Sequence, residues 1–265
     1  MSLVAVGSAR AAPGATTLVL ALAATWPSSR AVLVWEADAD GGVLAARYNL
    51  GDQPGLATIA ATVRQGRLSR EQLWQHTQQL PGGTPVVVGG ESADQSHVVL
   101  NDVGAKLADW LRQHPGLDVI ADVGRVSPSS AATQIAEVAD VTLVVARPVL
   151  EELRCAVYRL HALAAGGATV GWVLAGDGPY GAAEVRESFG LPVFAEIPND
   201  GRAATALVHG GSSRALRRSL LMRSARGLAD ELAGRLGPQA PDATSATPHR
   251  SDDLQDTPTA VAEVT

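Results

Sequence analysis

The sequence predicts a doubly wound α/β domain, in which helices flank both faces of a mostly parallel β-sheet. Short apolar runs rich in β-branched residues alternate along the chain with longer amphipathic or Ala/Leu-rich runs. This alternation is typical of βαβ units with right-handed crossovers. Hydrophobic residues make up 46% of the 265 residues and aromatic residues only 4%, which suits a large core with a covered parallel sheet.

The predicted strands are short apolar runs bounded by polar or turn residues. In chain order they are Leu3–Gly7, Ala31–Trp35, Pro85–Gly89, Leu117–Asp122, Val141–Ala146, Thr169–Ala175 and Pro192–Ile197. Helices are predicted between them, where apolar residues recur with the helical period or alanine and leucine dominate. These helices are Thr16–Trp26, Leu56–Arg64, Val98–Gln113, Ala131–Val138, Glu151–Ala165 and Ala182–Phe189.

One long basic helix is predicted over residues 212–236, and arginines crowd its first half. Four leucines fall on one face of this helix: Leu216, Leu220, Leu228 and Leu232. We expect the leucines to pack on the core and the arginines to face solvent. The alternative is that the basic face binds DNA or an anionic membrane.

The end of the chain differs in composition from the rest. From residue 238 onward Pro, Ala, Thr, Ser and Asp dominate, so this segment lacks the apolar surface that folding requires. Five acidic residues and one arginine give it a net charge of −4, against −6 for the whole chain. We therefore predict one α/β domain over residues 1–237 and a disordered acidic tail over residues 238–265.

Composition also excludes several classes of protein. A net charge of −6 argues against a generally basic nucleic-acid-binding surface, and a single cysteine, Cys155, excludes an internal disulfide or a multi-cysteine zinc site. The six histidines lack the spacing of metal ligands. Since no signal peptide or membrane-spanning stretch is recognisable, we expect a soluble, cytoplasmic protein.

The turn after the first strand is the expected binding region. The segment ARAAPGATT, residues 9–17, leads into a helix whose N-terminus offers N–H groups and a positive dipole end to an anion. A phosphate-binding loop has glycines, a lysine and a Ser/Thr hydroxyl at this place. Gly14 and Thr16 are present, but Ala15 stands at the lysine position. The only lysine of the chain, Lys106, lies in a distant predicted helix.

Acidic residues follow two other strands. The segment EADADGG places Glu36, Asp38 and Asp40 at alternate positions after the second strand, and Asp122 ends the fourth. Ligands of parallel α/β sheets bind beyond the carboxyl ends of the strands, so we expect these carboxylates near Thr16. Mg²⁺ accepts such oxygen ligands together with phosphate. The alternative is that they cap helices or face solvent.

Five segments in this order resemble the ParA/MinD family of P-loop ATPases across most of residues 1–235. They are VAVGSARAAPGATT, VLVWEADADGG, LDVIADVGR, ADVTLVVARP and AEIPND. The loop of the family reads Lys-Gly-Gly-x-Gly-Lys-Thr-Thr. Its places are taken here by Arg10, Ala11, Ala12, Pro13, Gly14, Ala15, Thr16 and Thr17. The resemblance implies that ATP or ADP with Mg²⁺ binds a homodimer, with nucleotide contacts from Arg10 and from Pro13, Gly14, Ala15, Thr16 and Thr17.

The resemblance also implies roles for the carboxylates. The Asp-x-Asp motif of the family falls on Glu36 and Asp38, and its Walker B aspartate falls on Asp122. Asp38 would then orient water, and Thr16 and Asp122 would hold magnesium. The base-contacting asparagine of the family falls near Ala175, which cannot make that contact.

The loop departs from the family in ways that weaken catalysis. Ala11 and Ala12 replace two glycines, and Pro13 removes one N–H donor in addition to the missing lysine. Loss of one preorganised donor or cation costs on the order of 3 kcal/mol of transition-state stabilisation, so hydrolysis is expected to be absent or weak. Arg10 keeps a positive charge where the first lysine of the family reaches the partner's nucleotide. We expect it to engage an anion or nucleotide in a dimer; the alternative is a surface arginine.

Three functions are consistent with these features. The first is a pseudo-ATPase that dimerises and recruits protein partners in cell division, chromosome partitioning, or pilus or secretion assembly, settings that the resemblance implies. The second is an active Mg-ATPase that uses Arg10, Thr16 and Asp38 without the lysine. The third is a structural interaction protein that binds no nucleotide.

Overall fold

The computed structural model describes residues 2–10, 14–66, 68–128 and 130–237. The strands of this part are β1 (Ser2–Ser8), β2 (Val32–Glu36), β3 (Gln78–Gln79), β4 (Pro85–Val87), β5 (Asp118–Arg125), β6 (Val141–Ala146), β7 (Val170–Ala175) and β8 (Val193–Ile197). The helices are α1 (Ala15–Thr25), α2 (Leu44–Tyr48), α3 (Leu56–Arg64), α4 (Arg70–Gln75), α5 (Ala93–Gln113), α6 (Ala131–Val138), α7 (Leu150–Ala165), α8 (Ala182–Phe189), α9 (Gly201–Val208), α10 (Arg214–Arg217) and α11 (Leu220–Arg235). The predicted tail, residues 238–265, lies outside the described residues.

The strands form one sheet in the order β3-β4-β2-β5-β1-β6-β7-β8. All neighbours pair in parallel except β3 and β4, which are antiparallel. From β1 the chain first builds the sheet on the β5 side and then, from β6 onward, on the other side. The carboxyl end of β1 is therefore the topological switch point, where ligands of such sheets bind. The predicted doubly wound, mostly parallel sheet is confirmed.

Side chains alternate between two helical layers. In β1, Leu3 and Ala5 join the core under α3, α5, α6, α7 and α8, whereas Val4 and Val6 join the core under α1, α9 and α11. In β5, Val119 and Ala121 face the first layer and Ile120 the second. Because successive strand residues point to opposite faces, Asp122 lies on the α1 side of the sheet.

The prediction of one helix over residues 212–236 is wrong. The chain forms two helices there, α10 and α11, because the side chains of Ser213 and Ser219 each accept from an N–H three residues later and start a new helix. Leu220, at the first position of α11, is 49% exposed, so it leaves the predicted apolar face. Three of the four leucines are buried as expected: Leu216, Leu228 and Leu232.

Other differences concern element ends and short elements. Helix α5 begins at Ala93 and not at Val98, because the Ser92 hydroxyl caps it by accepting from the N–H of Gln95. Helices α2 and α4 and strand β3 were not predicted, since such short segments carry too little periodicity. Helix α9, which is as long as α6 and α8, was missed as well. Within the described ranges, no helix is both long and apolar enough to cross a membrane.

Candidate functional site

Helix α1 begins at the switch point of the sheet. Gly14 precedes it in the left-handed conformation, with φ 98° and ψ 26°, which favours glycine over any other residue. No side chain caps this helix N-terminus. A Cβ atom at residue 14 would meet no atom of the described residues within 4 Å. The N–H groups of the first turn of α1 therefore have no side-chain cap among the described residues, and unpaired N–H groups of this kind suit an anion.

Asp122 lies under this turn, near the end of β5. Its side chain is 2% exposed, and its carboxylate is hydrogen-bonded by the Thr16 side chain and by the N–H of Gly124 at 3.2 Å. Burial raises the pKa of the Asp122 carboxyl to about 6, against the lowering effect of these two hydrogen bonds. The structure therefore brings Thr16 and Asp122 together, as the sequence predicts.

Glu36 caps a helix, which is the alternative left open for the acidic residues that follow the strands. Its carboxylate is buried, and Oε1 accepts from the N–H groups of Val43 and Leu44 at 2.6 and 2.9 Å. Oε2 accepts from Gly89 N–H at 2.7 Å. Burial raises the pKa of this carboxyl, and the three hydrogen bonds oppose that rise. Glu36 thus caps α2 and holds the chain after β4, so it serves the fold.

Asp38 is half-buried beside Gly124. A Cβ atom at residue 124 would lie 2.2 Å from the Asp38 carboxylate, and Gly124 has φ 62°, so glycine is required on both counts. Oδ1 of Asp38 accepts from the N–H of Asp40 at 2.9 Å. Burial raises the pKa of Asp38, while the charge of Arg125 opposes the rise. Asp38 is accordingly held close to Asp122, on the same side of the sheet.

These side chains line a cleft of about 320 Å³, here called the α1 cleft. Its walls comprise Ser8, Gly14, Ala15, Thr16, Thr17, Asp38, Asp40, Arg47, Asp122, Gly124 and Arg125. Sequence reasoning missed the two cations, Arg47 and Arg125. Arg125 directly follows the DVG segment, which was a usable signal, whereas Arg47 lies on the unpredicted α2.

A second cleft of about 430 Å³, here called the β8 cleft, adjoins the first and shares Gly14 and Thr17 with it. It extends past the ends of β6, β7 and β8, and its walls include Leu18, Val145, Arg147, Ala175, Gly176, Asp177, Ile197, Pro198, Asn199, Asp200 and Leu221. Asn199 is exposed there and was not predicted; the Pro-Asn-Asp turn after the last strand was the available signal. Together the two clefts form a groove with a polar end at α1 and a more apolar end at β8.

The remaining predicted loop residues have distinct positions. Arg10 is exposed, and the residues lining the two clefts do not include it. Ala15 is buried in the first turn of α1 and lines the α1 cleft. Thr17 lines both clefts. Pro13 lies outside the described residues, as do Ala11 and Ala12.

The donor set fits magnesium only when it arrives with phosphate. In the part of the chain that the structure describes, no group of three or more His, Cys, Asp or Glu side chains could hold a metal by itself. Thr16 and Asp122 provide a hydroxyl and a carboxylate, and magnesium typically completes such a set with phosphate and water oxygens. The N-terminus of α1, which includes Thr16, offers N–H groups that suit such a phosphate.

The raised pKa of Asp122 predicts a pH dependence of stability in metal-free buffer. The folded protein retains a proton up to about pH 6 that the unfolded chain loses near its ordinary value of 3.8, so stability falls as the pH rises through this interval. An Asp122→Asn change is expected to raise the free energy of unfolding at pH 7 by about 2–3 kcal/mol. Urea unfolding from pH 4 to 8 measures the free energy of unfolding of both proteins. Asp230→Asn is the control, because Asp230 is exposed. Equal changes in the free energy of unfolding in the two variants would contradict the prediction.

The fold is similar to those of several solved structures, whereas no protein-family model matches the sequence and no curated protein shows significant similarity to it. A ParA family ATPase from Chlorobium tepidum gives a TM-score of 0.69 and 18% identity, covering 88% of this chain and 98% of that one. The septum site-determining protein MinD of Pyrococcus horikoshii, solved with Mg-ADP, gives a TM-score of 0.69 and 16% identity, covering 89% of this chain and 97% of that one. A variant of McdA from Cyanothece, solved with ATP, gives a TM-score of 0.65 and 15% identity, covering 88% of this chain and 96% of that one.

The low identities limit this similarity to the architecture. It extends over nearly the whole length of the solved chains and over the α/β part of this one. The resemblance predicted from the loop and the strand ends is confirmed at that level. The protein has the fold of the ParA/MinD ATPases.

Proposed function

We propose that the protein is a ParA/MinD-like regulatory or positioning protein that binds magnesium nucleotide weakly and hydrolyses it slowly or not at all. The observation that carries this proposal is the α1 cleft, in which an open helix N-terminus stands above the Thr16–Asp122 pair without a lysine. In this proposal, Gly14, Thr16 and Asp122 are the groups that would hold a phosphate and its metal. The site lacks the cation that such loops place on the terminal phosphates.

Each described residue has a specific task in this proposal. Gly14 and the first turn of α1 bind phosphate oxygens, and Thr16 and Asp122 hold magnesium, which would neutralise phosphate charge. The β8 cleft receives the nucleoside, with the Asn199 amide as a polar contact. The size of the groove suits a ligand with a charged end and a flat, largely apolar end.

We expect slow hydrolysis because the cations near Asp38 are exposed side chains. The Asp38 carboxylate accepts a hydrogen bond from the N–H of Asp40 and lies near Asp122, while Arg47 and Arg125 are exposed at the rim of the α1 cleft. Flexible surface arginines lose more rotamer freedom on binding than a preorganised loop lysine, and catalytic groups lose their value together when one is absent. The same two arginines favour a second candidate, an active Mg-ATPase in which they replace the lysine. Phosphate release under saturating ATP separates these candidates.

The proposal is tested by calorimetric titration with ATP and ADP in magnesium, with a mass determination on the same samples. We expect weak nucleotide binding in the wild type. The Thr16→Val change is expected to abolish it, because it removes the hydroxyl group that is hydrogen-bonded to Asp122. Thr169→Val is the matched control, since Thr169 is exposed just before β7, at the opposite ends of the strands. If no nucleotide binds at millimolar concentration, the protein is a structural interaction partner and the proposal fails.

Arg10 carries a separate prediction about the dimer. Because Arg10 is exposed and outside both clefts, we propose that it acts on the nucleotide of a second copy. Arg10→Ala is then expected to weaken ATP-dependent dimerisation about tenfold, as the loss of one charge-assisted hydrogen bond does. Analytical ultracentrifugation with ATP measures this. Unchanged dimerisation and unchanged nucleotide affinity would contradict it.

Protein partners are the proposed targets of the nucleotide-bound form. Two similar structures are those of a septum site-determining protein and of a cell division ATPase, which favours a role in cell division or partitioning. The alternative of DNA or membrane binding rests on exposed arginines of α10, of α11 and of the turn between them: Arg214, Arg217, Arg218, Arg223 and Arg226. The test is co-sedimentation with DNA or with anionic vesicles. If charge reversal at Arg217 and Arg218 leaves the co-sedimented fraction unchanged, that alternative is excluded.

A further inference from the structure

The pairing of β1 with β5 is irregular close to the α1 cleft. Val6 pairs with Asp122, but the next residue, Gly7, pairs with Gly124, so Val123 is an extra residue on β5. A bulge of this kind bends a strand and redirects its side chains. The extra residue, Val123, lies between Asp122 and Gly124, which both line the α1 cleft. The conformation of the bulge therefore determines the positions of these two residues.

A side chain of α7 joins the two strands just beyond the bulge. Nη1 of Arg159 donates to the carbonyl oxygen of Ala9 at 2.9 Å and to that of Val126 at 2.5 Å. Ala9 directly follows β1, Val126 directly follows β5, and both are buried. The N–H of Val126 also donates to the carbonyl of Ser8 at 2.8 Å. Arg159 thus closes the strand pair at the point where its regular pairing ends.

We propose that Arg159 is a positioning residue for the nucleotide site, an inference that rests on the proposed function. By holding Ala9 and Val126 at a fixed separation, it keeps the bulge in the form that presents Asp122 to Thr16. The guanidinium group suits this task because it is charged at every physiological pH. One of its nitrogens carries two N–H groups at a fixed angle, so it can donate to two carbonyl oxygens at once.

The packing of α7 does not depend on this guanidinium. The buried face of the helix consists of Glu152, Leu153, Ala156, Val157, Leu160 and Leu163, whereas Arg159 is only half-buried. Removal of the guanidinium is therefore expected to loosen the ends of β1 and β5 locally and to leave the domain folded. This separates a positioning role from a general structural one.

The test compares nucleotide affinity with stability in three variants. Arg159→Met keeps the length of the side chain without its donors, and Arg159→Lys keeps one charged donor group. Arg154→Met is the matched control, because Arg154 is exposed on the same helix. We expect Arg159→Met to weaken Mg-ADP binding about tenfold, as loss of charge-assisted hydrogen bonds does, with partial recovery in Arg159→Lys. Arg154→Met is expected to leave the affinity within twofold.

Amide hydrogen exchange in the nucleotide-free protein provides a second readout. Arg159→Met is expected to accelerate exchange at Val126 about tenfold and to leave Val173, in β7, unchanged. Wild-type protein that does not bind Mg-ADP would refute the proposed function, and exchange at Val126 would still report on the strand ends. A folded Arg159→Met variant with unchanged affinity and unchanged exchange at Val126 overturns the inference. If that variant fails to fold, Arg159→Lys with wild-type affinity and exchange overturns it as well.

Discussion

Replacement of Asp118 by alanine is expected to lower the free energy of unfolding by about 3–5 kcal/mol, because it leaves a buried arginine without its carboxylate. Asp118 is 0% exposed at the start of β5. Its carboxylate accepts from Arg30 through Nε at 2.5 Å and Nη2 at 2.9 Å, from Ser2 Oγ at 2.6 Å and from Trp26 Nε1 at 2.9 Å. One side chain therefore joins β1, the end of α1, the approach to β2 and β5, at the edge of the sheet opposite the clefts.

The chain provides a matched control in an exposed ion pair. Arg64 and Asp102 lie 2.6 Å apart, but their side chains are 46% and 49% exposed, whereas those of Arg30 and Asp118 are 8% and 0% exposed. Asp102→Ala is expected to cost less than about 1 kcal/mol, since water solvates both charges. Urea unfolding at pH 7 measures both variants. Similar losses in the two would contradict the role assigned to burial.

Introduction of a lysine by Ala15→Lys is expected to strengthen magnesium-nucleotide binding about tenfold or more, equivalent to about 1.4 kcal/mol. Ala15 stands in the first turn of α1 and lines the α1 cleft with Asp38 and Asp122. A lysine there would place a cation beside phosphate and would offset the repulsion between phosphate and the two carboxylates. Binding is measured by calorimetry, with phosphate release recorded on the same samples.

Two further variants determine whether the position or the charge is responsible. Ala24→Lys adds the same charge at an exposed site on the same helix and is expected to leave affinity unchanged. Ala15→Met adds length without charge and is expected to weaken binding by occupying the cleft. If Ala15→Lys remains folded and binds no better than the wild type, the α1 turn does not receive phosphate. The structural interaction protein would then be the better description.

The candidate site was only partly predictable from the sequence. Thr16, Asp38 and Asp122 were identified because each follows or ends a strand at the same edge of a parallel sheet. For Glu36 the sequence left open a site role and a helix cap, and the structure decides for the cap, because its third donor, Gly89 N–H, is 53 residues away and meets it only in the folded chain. Arg159 carries no local signal at all, because its acceptors precede it by 150 and 33 residues.

The sequence by itself determined the class of the fold and the ends of its most regular elements. Helices α6 and α8 begin and end where the pattern predicts, because hydrophobic periodicity is a local property that each segment carries alone. The absence of a loop lysine is likewise a property of the sequence. Tertiary structure decided the strand order, the division of residues 212–236 at Ser219, the placement of Arg47 and Arg125 in the α1 cleft, and the contacts of Arg159 with the ends of β1 and β5. These features depend on contacts between residues far apart in the chain, and their free energy arises only once the sheet has formed.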